Sequence, residues 1–336
     1  MITVSVCMIV KNEEDKLSDC LDCLKDFADE IIVVDTGSTD KTKEIAAKYT
    51  DKIYDFQWID DFAAARNYAF SKATMEYIYT ADADEKLDEA NIKKLLMLKK
   101  ALLKEIDIVQ MNYTNQLEFG TTYNYDSELR PKLFKRLREF VWQDPVHETI
   151  MVNPVVYDSD IDIIHAPHEL HAKRDFSIFL KMINEGQELS KNLKTMFAKE
   201  LFIAGDDDDF LSAKEYFQNQ VDTGSLPEDE LGQALCVLMH CARIQDDVHG
   251  LMKCSLKSVA GESCSEACNE LGEYYLSKKD YNEAYMWFYN AVYETKPILS
   301  IKHGRDYPLK GLIVCCREAG NEELANEFEE KLKEIN

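Results

Sequence analysis

The sequence predicts an α/β domain followed by an all-α domain. Over the first half, short apolar runs rich in Val, Ile and Tyr alternate strictly with stretches of helical spacing, and from Phe176 onward only the helical spacing remains. A chain of 336 residues is long enough for two full cores. The boundary is expected near residues 170–180, dividing residues 1–175 from 176–336.

Thr3 to Val10 (TVSVCMIV) reads as a fully buried strand, and Glu13 to Ala28 as a helix with Leu17, Leu21, Leu24 and Phe27 on one face. Glu30 to Asp35 (EIIVVD) is a second strand. Gly37 to Thr39 makes a turn, after which Thr39 or Asp40 caps a helix to about Tyr49. Lys52 to Trp58 is a third strand, Phe62 to Ala73 a helix and Tyr77 to Ala81 a fourth strand. Such alternation builds a parallel sheet with helices on both faces. Ile106 to Tyr113 is a further strand, Gly120 to Tyr125 a loop or hairpin tip, and DIDIIH a run that delivers His165 to a strand end.

The composition, 46% hydrophobic and 30% charged, is that of a soluble globular protein. A net charge of −24 repels phosphates and anionic membrane surfaces, which argues against nucleic acid as a partner. The N-terminal stretch carries no basic leader, and no apolar run reaches the ~20 residues of a membrane span, so a cytoplasmic location is expected. Ten cysteines at irregular spacing read as reduced, buried thiols, and Cys20 and Cys23 fall on a helix with no second pair to complete a zinc site. Gly37 is the only glycine before Gly120. Walker-type phosphate loops and dinucleotide fingerprints both need several glycines, so a P-loop ATPase and a Rossmann dehydrogenase are disfavoured.

The functional signal lies at strand ends. In YIYTADADE, Asp82 and Asp84 project side by side from the carboxyl end of a strand, where open α/β sheets bind ligands, and can hold a divalent metal. The competing explanation is that Asp82, Asp84 and Glu85 merely start the helix beginning near Leu87. Lys11, Asn12 and Glu13 follow the first strand and Asp35 to Ser38 the second, on the same edge of a parallel sheet. A carboxylate such as Asp35 can accept a hydrogen bond from a base imide, while paired aspartates and a metal neutralise a diphosphate.

VCMIVKNEED, EIIVVDTGSTDKT, WIDDFAAARNYAF and YTADADE, in that order and spacing, closely resemble family 2 glycosyltransferases of the GT-A fold over about residues 1 to 170. VKNEE and WxDDFAxxRN resemble the subgroup related to the sublancin S-glycosyltransferase, whose relatives modify peptides and proteins, flagellin included. The resemblance implies a mixed sheet flanked by helices and an inverting enzyme that uses a UDP-sugar with Mn²⁺ or Mg²⁺. The sugar would be a hexose or N-acetylhexosamine, N-acetylglucosamine favoured, and the acceptor a protein or peptide side chain such as a flagellin serine or threonine. It also implies that Glu13 and Asp35 face the uridine and that Arg66 lies near the uracil or phosphates. Asp82 and Asp84 match the DxD motif, Asp84 on the metal and Asp82 on ribose or metal.

RPKLFKRLR packs Arg130, Lys132, Lys135, Arg136 and Arg138 into nine residues. It reads either as a solvated face or as a diphosphate contact, with Arg130 the first candidate because guanidinium grips phosphate bidentately. WQDPVHETI follows, and an inverting transfer needs one base for the acceptor proton. Glu148 is taken as that base, with Asp144 as its alternative; the resembling subgroup has a similar His-Glu pair where other members carry Glu-Asp. His147 and His165 are candidate additional metal ligands, and His168 and His171 lie in a following loop.

In the second half Asp175 is a helix cap, and Asp206 to Asp209 form a charged turn between helices. Cys268 to Ala291 matches a tetratricopeptide repeat, with Leu271, Gly272, Tyr275, Ala284, Phe288 and Ala291 at the interlocking positions; 197–222, 231–259 and 309–332 look like degenerate copies. Such an array offers a concave surface to a protein, a buttress, or a contact for a homo-oligomer. Two rival functions remain. A nucleotidyltransferase also joins an α/β sheet, paired carboxylates and nucleotide, but its usual glycine-rich loop is missing. A non-catalytic repeat module with a dead transferase domain is opposed by the intact DxD and ARN.

Overall fold

The computed structural model describes residues 1–114, 127–137, 142–147, 149–150, 154–165 and 172–335. The chain divides into two compact units, Met1–Leu170 and His171–Asn336.

The first unit runs β1 (Val4–Val10), α1 (Leu17–Leu24), β2 (Glu30–Asp35), α2 (Thr42–Ala46), β3 (Ile53–Asp55), α3 (Phe62–Lys72), β4 (Tyr77–Ala81), β5 (Glu85–Lys86), α4 (Glu89–Ala101), β6 (Ile108–Thr114), β7 (Glu128–Lys135), β8 (Trp142–Gln143), β9 (Thr149–Ile150) and β10 (Val156–His165). Helix α1 starts later than the apolar spacing suggests. Asn12 takes a left-handed φ of 56°, and the N–H groups of Asn12, Glu13 and Glu14 donate to Ser38, Thr42 and Asp40 side chains instead of opening a helix. The loop expected at Gly120–Tyr125 lies outside the described residues.

Eight strands form one sheet in the order β3-β2-β1-β4-β7-β6-β10-β5. The first four of these are parallel, as the alternation predicts. β7 then runs antiparallel between β4 and β6, β10 is parallel to β6, and β5 is antiparallel to β10, so the sheet is mixed. One face packs Leu17, Leu21, Leu24 and Phe27 on Val4, Val6, Met8 and Tyr79, with the Phe27 and Tyr79 rings edge-on at 5.6 Å. The other face packs Cys7, Ile32, Val34 and Ile78 on Ala69 and Ala73. Neighbouring residues of β1 thus enter opposite cores, which is why the strand is apolar throughout rather than alternating.

The second unit is helical throughout its described residues: α5 (Ala172–Asn184), α6 (Lys191–Ala204), α7 (Asp207–Asp222), α8 (Glu228–Ile244), α9 (Val248–Ala260), α10 (Ser265–Ser277), α11 (Tyr281–Tyr293), a 3-10 turn at Ile301–Gly304, α12 (Asp306–Glu318) and α13 (Glu322–Ile335). The tetratricopeptide-like stretch is the pair α10 and α11. Phe288 of α11 is fully buried between Gly272 of α10 and Gly311 of α12; a Cβ on Gly272 would stand 2.6 Å from its ring, and one on Gly311 closer still. Asp206 and Asp209 close a reciprocal capping box at the start of α7, which accounts for half of the acidic run. Asp175 lies in the first turn of α5 rather than capping it. Between α8 and α10, buried Glu270 meets His240 Nδ1 at 2.9 Å and Arg243 Nε at 2.6 Å. Among the described residues no helix is long and apolar enough to cross a membrane, and the ten cysteines are free thiols.

Candidate active site

Because β1, β2 and β4 point the same way, the residues after Val10, Asp35 and Ala81 share one sheet edge. Asn12 braces that edge: its side-chain oxygen accepts from Thr39 N–H at 2.8 Å, and its own N–H donates to Ser38 Oγ at 2.9 Å. Asp35, 1% exposed, closes β2. Its Oδ1 accepts from the Gly37 and Ser38 N–H groups at 3.0 Å each, in a turn that Gly37 permits with φ at 106°. Its Oδ2 is buried and has no hydrogen-bond partner among the described residues. A buried acceptor left unmatched costs about 1–3 kcal/mol, which a water or a bound ligand can relieve; the Lys43 ammonium stands 4.0 Å from the other oxygen.

The acid pair is not a helix start. Helix α4 is capped by Asp88, whose carboxylate accepts from Asn91 N–H at 2.8 Å, while Glu85 and Lys86 form β5. Asp82 lies between two cations: Arg66 Nη2 donates to Oδ1 at 3.2 Å, and the Lys132 ammonium, bonded to Glu85, stands 4.0 Å from Oδ2. Burial would raise the Asp82 pKa, but the charges of Arg66 and then Lys132 outweigh it and hold the carboxyl well below the usual range. Asp84 Oδ2 lies 3.2 Å from His165 Nε2, a meeting set up by the β5–β10 ladder, where Glu85 pairs with His165. Half-buried Glu13 joins this group; burial first, and the charge of Asp84 next, push it up to about 7. Asp84 and His165 offer a carboxylate and an imidazole side by side, with the charges of Glu13 and Asp82 nearby, a chemistry that suits Mn²⁺ or Mg²⁺.

Beneath the pair lies a second layer of charge. Lys132, 4% exposed, forms an ion pair with Glu85, 2% exposed. Burial pushes Glu85 up to about 7 despite that partner. Arg66 is aimed by Thr80, whose Oγ1 accepts from Nη1 at 2.9 Å, and by the Trp142 ring, whose centroid lies 5.2 Å from the guanidinium carbon. Cys20 and Cys23 donate to the Asp82 and Leu87 carbonyls at 3.3 and 3.5 Å, so the CxxC pair ties α1 under the acidic loop.

The remaining sequence candidates have the following surroundings. Lys11 is exposed. Arg130 pairs with Glu128 and lies 4.1 Å over the Tyr113 ring; of the three β7 cations, it is Lys132 that the described contacts bring to Asp82. Asp144 has a left-handed φ of 70°, and burial followed by the charge of Asp61 raises its pKa. His147 also has a positive φ, 48°, and of the two candidate histidines it is His165 that the described contacts bring to Asp84. Arg138, Glu148, His168 and His171 lie outside the described residues.

Residues 5–162 match the family model described as Glycosyl transferase family 2. The first unit is a family 2 glycosyltransferase domain. A TPR repeat-containing protein of Synechococcus elongatus is 49% identical to the chain over 87 residues, 26% of this chain and 22% of that protein. The SPbeta prophage-derived glycosyltransferase SunS of Bacillus subtilis is 30% identical over 193 residues, 56% of this chain and 41% of SunS. The chain thus spans less than half the length of these relatives. Among solved structures, glucosyl-3-phosphoglycerate synthase from Mycobacterium tuberculosis, crystallised with Mg²⁺ and UDP, aligns at a TM-score of 0.41 and 14% identity over 56% of this chain and 81% of that one. At that distance its ligands carry no argument for this chain.

Within the glycosyltransferase domain, Thr80, Glu85, Lys132 and Trp142 support the acid pair, a role that no local pattern assigns to them. A signal for Lys132 exists: it stands two residues from Arg130 on β7, hence on the same face, where both cations lie over the Tyr113 ring.

Proposed function

We propose that the chain transfers a hexose or N-acetylhexosamine from a UDP-sugar to a protein or peptide side chain, with inversion and with the help of Mn²⁺ or Mg²⁺. The observation that carries the reading is the unmatched Asp35 Oδ2 on the same sheet edge as the Asp82–Asp84 pair. It is an acceptor for a uracil imide N–H, placed where the acids can serve a diphosphate. Asp84, with His165 and Glu13 beside it, would hold the cation; Asp82, kept ionised by Arg66 and Lys132, would accept from a ribose hydroxyl. A cation held there would supply Lewis acidity to the departing diphosphate. The carboxylate that takes the acceptor proton is assigned to Glu148, with Asp144 as the alternative. A polypeptide acceptor rests on the likeness of VKNEE and WxDDFAxxRN to the peptide-modifying subgroup and on the helical unit, an architecture that commonly binds polypeptide.

The test is a panel of UDP-sugars with Mn²⁺, read as UDP release with and without acceptor. Slow, metal-dependent hydrolysis of one donor is expected. Purified protein that neither binds UDP nor hydrolyses any member would overturn the reading, and pyrophosphate release from UTP and a sugar phosphate would replace it with nucleotidyl transfer.

A further inference from the structure

We propose that Lys132 is the positioning residue of this site: from β7 it fixes the Asp82 carboxylate and keeps it off the cation assigned to Asp84 and His165. The inference rests on the functional reading above. Two aspartates one residue apart have unlike surroundings. Asp82 has a cation on each oxygen, Arg66 at 3.2 Å and Lys132 at 4.0 Å, whereas Asp84 meets the imidazole of His165 at 3.2 Å. Both cations are fixed from behind. Arg66 is bonded to Thr80 and stacked on Trp142, and Lys132 stands at the register shift of β7, between Pro131 and Leu133, which are both paired to β6, with Tyr113 5.4 Å from its ammonium.

Lys132 also neutralises Glu85, and that alone would be a structural role. A buried pair with no further duty can be exchanged for apolar side chains of similar volume without loss. The ammonium, however, lies between two carboxylates, and its second neighbour is the first aspartate of the motif. With Arg66 bonded to Oδ1 and the Lys132 charge 4.0 Å from Oδ2, Asp82 is an oriented acceptor whose charge is already compensated. The negative charge left for the cation sits on Asp84.

The experiment removes the Lys132–Glu85 pair as a unit, in the double variant Glu85→Met/Lys132→Met, so that no lone buried charge confuses the result. Thermal melting checks the fold, Mn²⁺ alone is titrated by electron paramagnetic resonance, and kcat and KM are measured for the donor that the parent hydrolyses. The variant removes the ammonium and the carboxyl together, and a gain in Mn²⁺ affinity reports a freed Asp82. The expected result is Mn²⁺ bound several-fold tighter, and kcat lowered by about tenfold or more with donor KM changed less than about threefold. Parent-like Mn²⁺ affinity and kcat in a folded double variant would show that Lys132 serves Glu85 alone and would overturn the proposal. Lys132→Arg, which keeps the charge, is expected to keep the parent's Mn²⁺ affinity; tighter binding in that variant also overturns it. A parent that binds no Mn²⁺ and turns over no donor instead removes the functional reading, and this inference with it.

Discussion

Replacing Asp35 with asparagine tests how the nucleotide base is read. The Gly37 and Ser38 N–H groups both require the acceptor that Asp35 Oδ1 supplies. In Asp35→Asn the amide oxygen therefore stays on those two N–H groups, and the amide nitrogen takes the place of Oδ2. A donor then faces the uracil imide, itself a donor. The lost charge-assisted hydrogen bond is worth about 1.5–3 kcal/mol, and burying two opposed donors adds to it, so a total near ~3 kcal/mol, or ~100-fold in UDP affinity, is expected. Cytosine presents an acceptor at the same ring position, so CDP should gain on UDP in the variant. Isothermal titration of UDP and CDP at fixed Mn²⁺ measures both, with a melting curve as the folding control. A UDP affinity within about threefold of the parent, or equal losses for UDP and CDP, would refute the assignment of Oδ2 to the base.

Asp84→Ala should lower metal-dependent donor hydrolysis by at least about 100-fold and abolish Mn²⁺ binding, and retained turnover in a Mn²⁺ titration would move the metal elsewhere. Glu270 is opposed by burial but held down by the hydrogen bond from His240 and the charge of Arg243, from 4.5 to about 2. A carboxyl depressed in the folded state stabilises above its unfolded pKa and loses that contribution as pH falls from 4.5 through about 2. Glu270→Gln should therefore cost up to about 3 kcal/mol at pH 7 and flatten the acid end of the stability curve; chemical melts at pH 7 and pH 3 that match the parent's would contradict it. Gly311→Ala drives a methyl into the Phe288 ring and should lower the urea midpoint of the helical unit by an amount equivalent to about 1–3 kcal/mol, whereas an unchanged midpoint would mean the ring shifts freely.

Much of this architecture is written in local pattern. Glu30–Asp35 and Tyr77–Ala81 begin and end where their apolar runs do, because strand burial and a terminal carboxylate leave little room for slippage. Strand direction is not local. The reversal of β7 between β4 and β6 depends on pairings across the chain, and a basic stretch such as RPKLFK gives no sign of which neighbours it will have. The same reason hides Lys132: amid Arg130 and Lys135 it looks like one more solvated charge, and its burial becomes visible only when Glu85 and Asp82 arrive from β5 and the end of β4. Asp35 and Asp84 are legible because each follows an apolar strand on the shared edge. Arg130 ranks first in the basic run by its chemistry alone, and in the structure it pairs with Glu128 on its own strand.

The two-residue strand β5 has a consequence for how the domain folds. Its ladder joins Glu85 to His165 at the far end of the sheet through two residue pairs, whereas β1 is laddered to β2 through six and to β4 through five. So short a ladder rewards the closure of its loop less, and the parallel half can form while β10 is still searching for its place. A partly folded species of this kind would hold most of the apolar core and both aspartates, yet lack the imidazole beside Asp84. Competence to bind the cation would then appear as a late kinetic phase, separable from the burial of Tyr79 in a stopped-flow refolding trace and coincident with protection of the Ile164 and His165 amides.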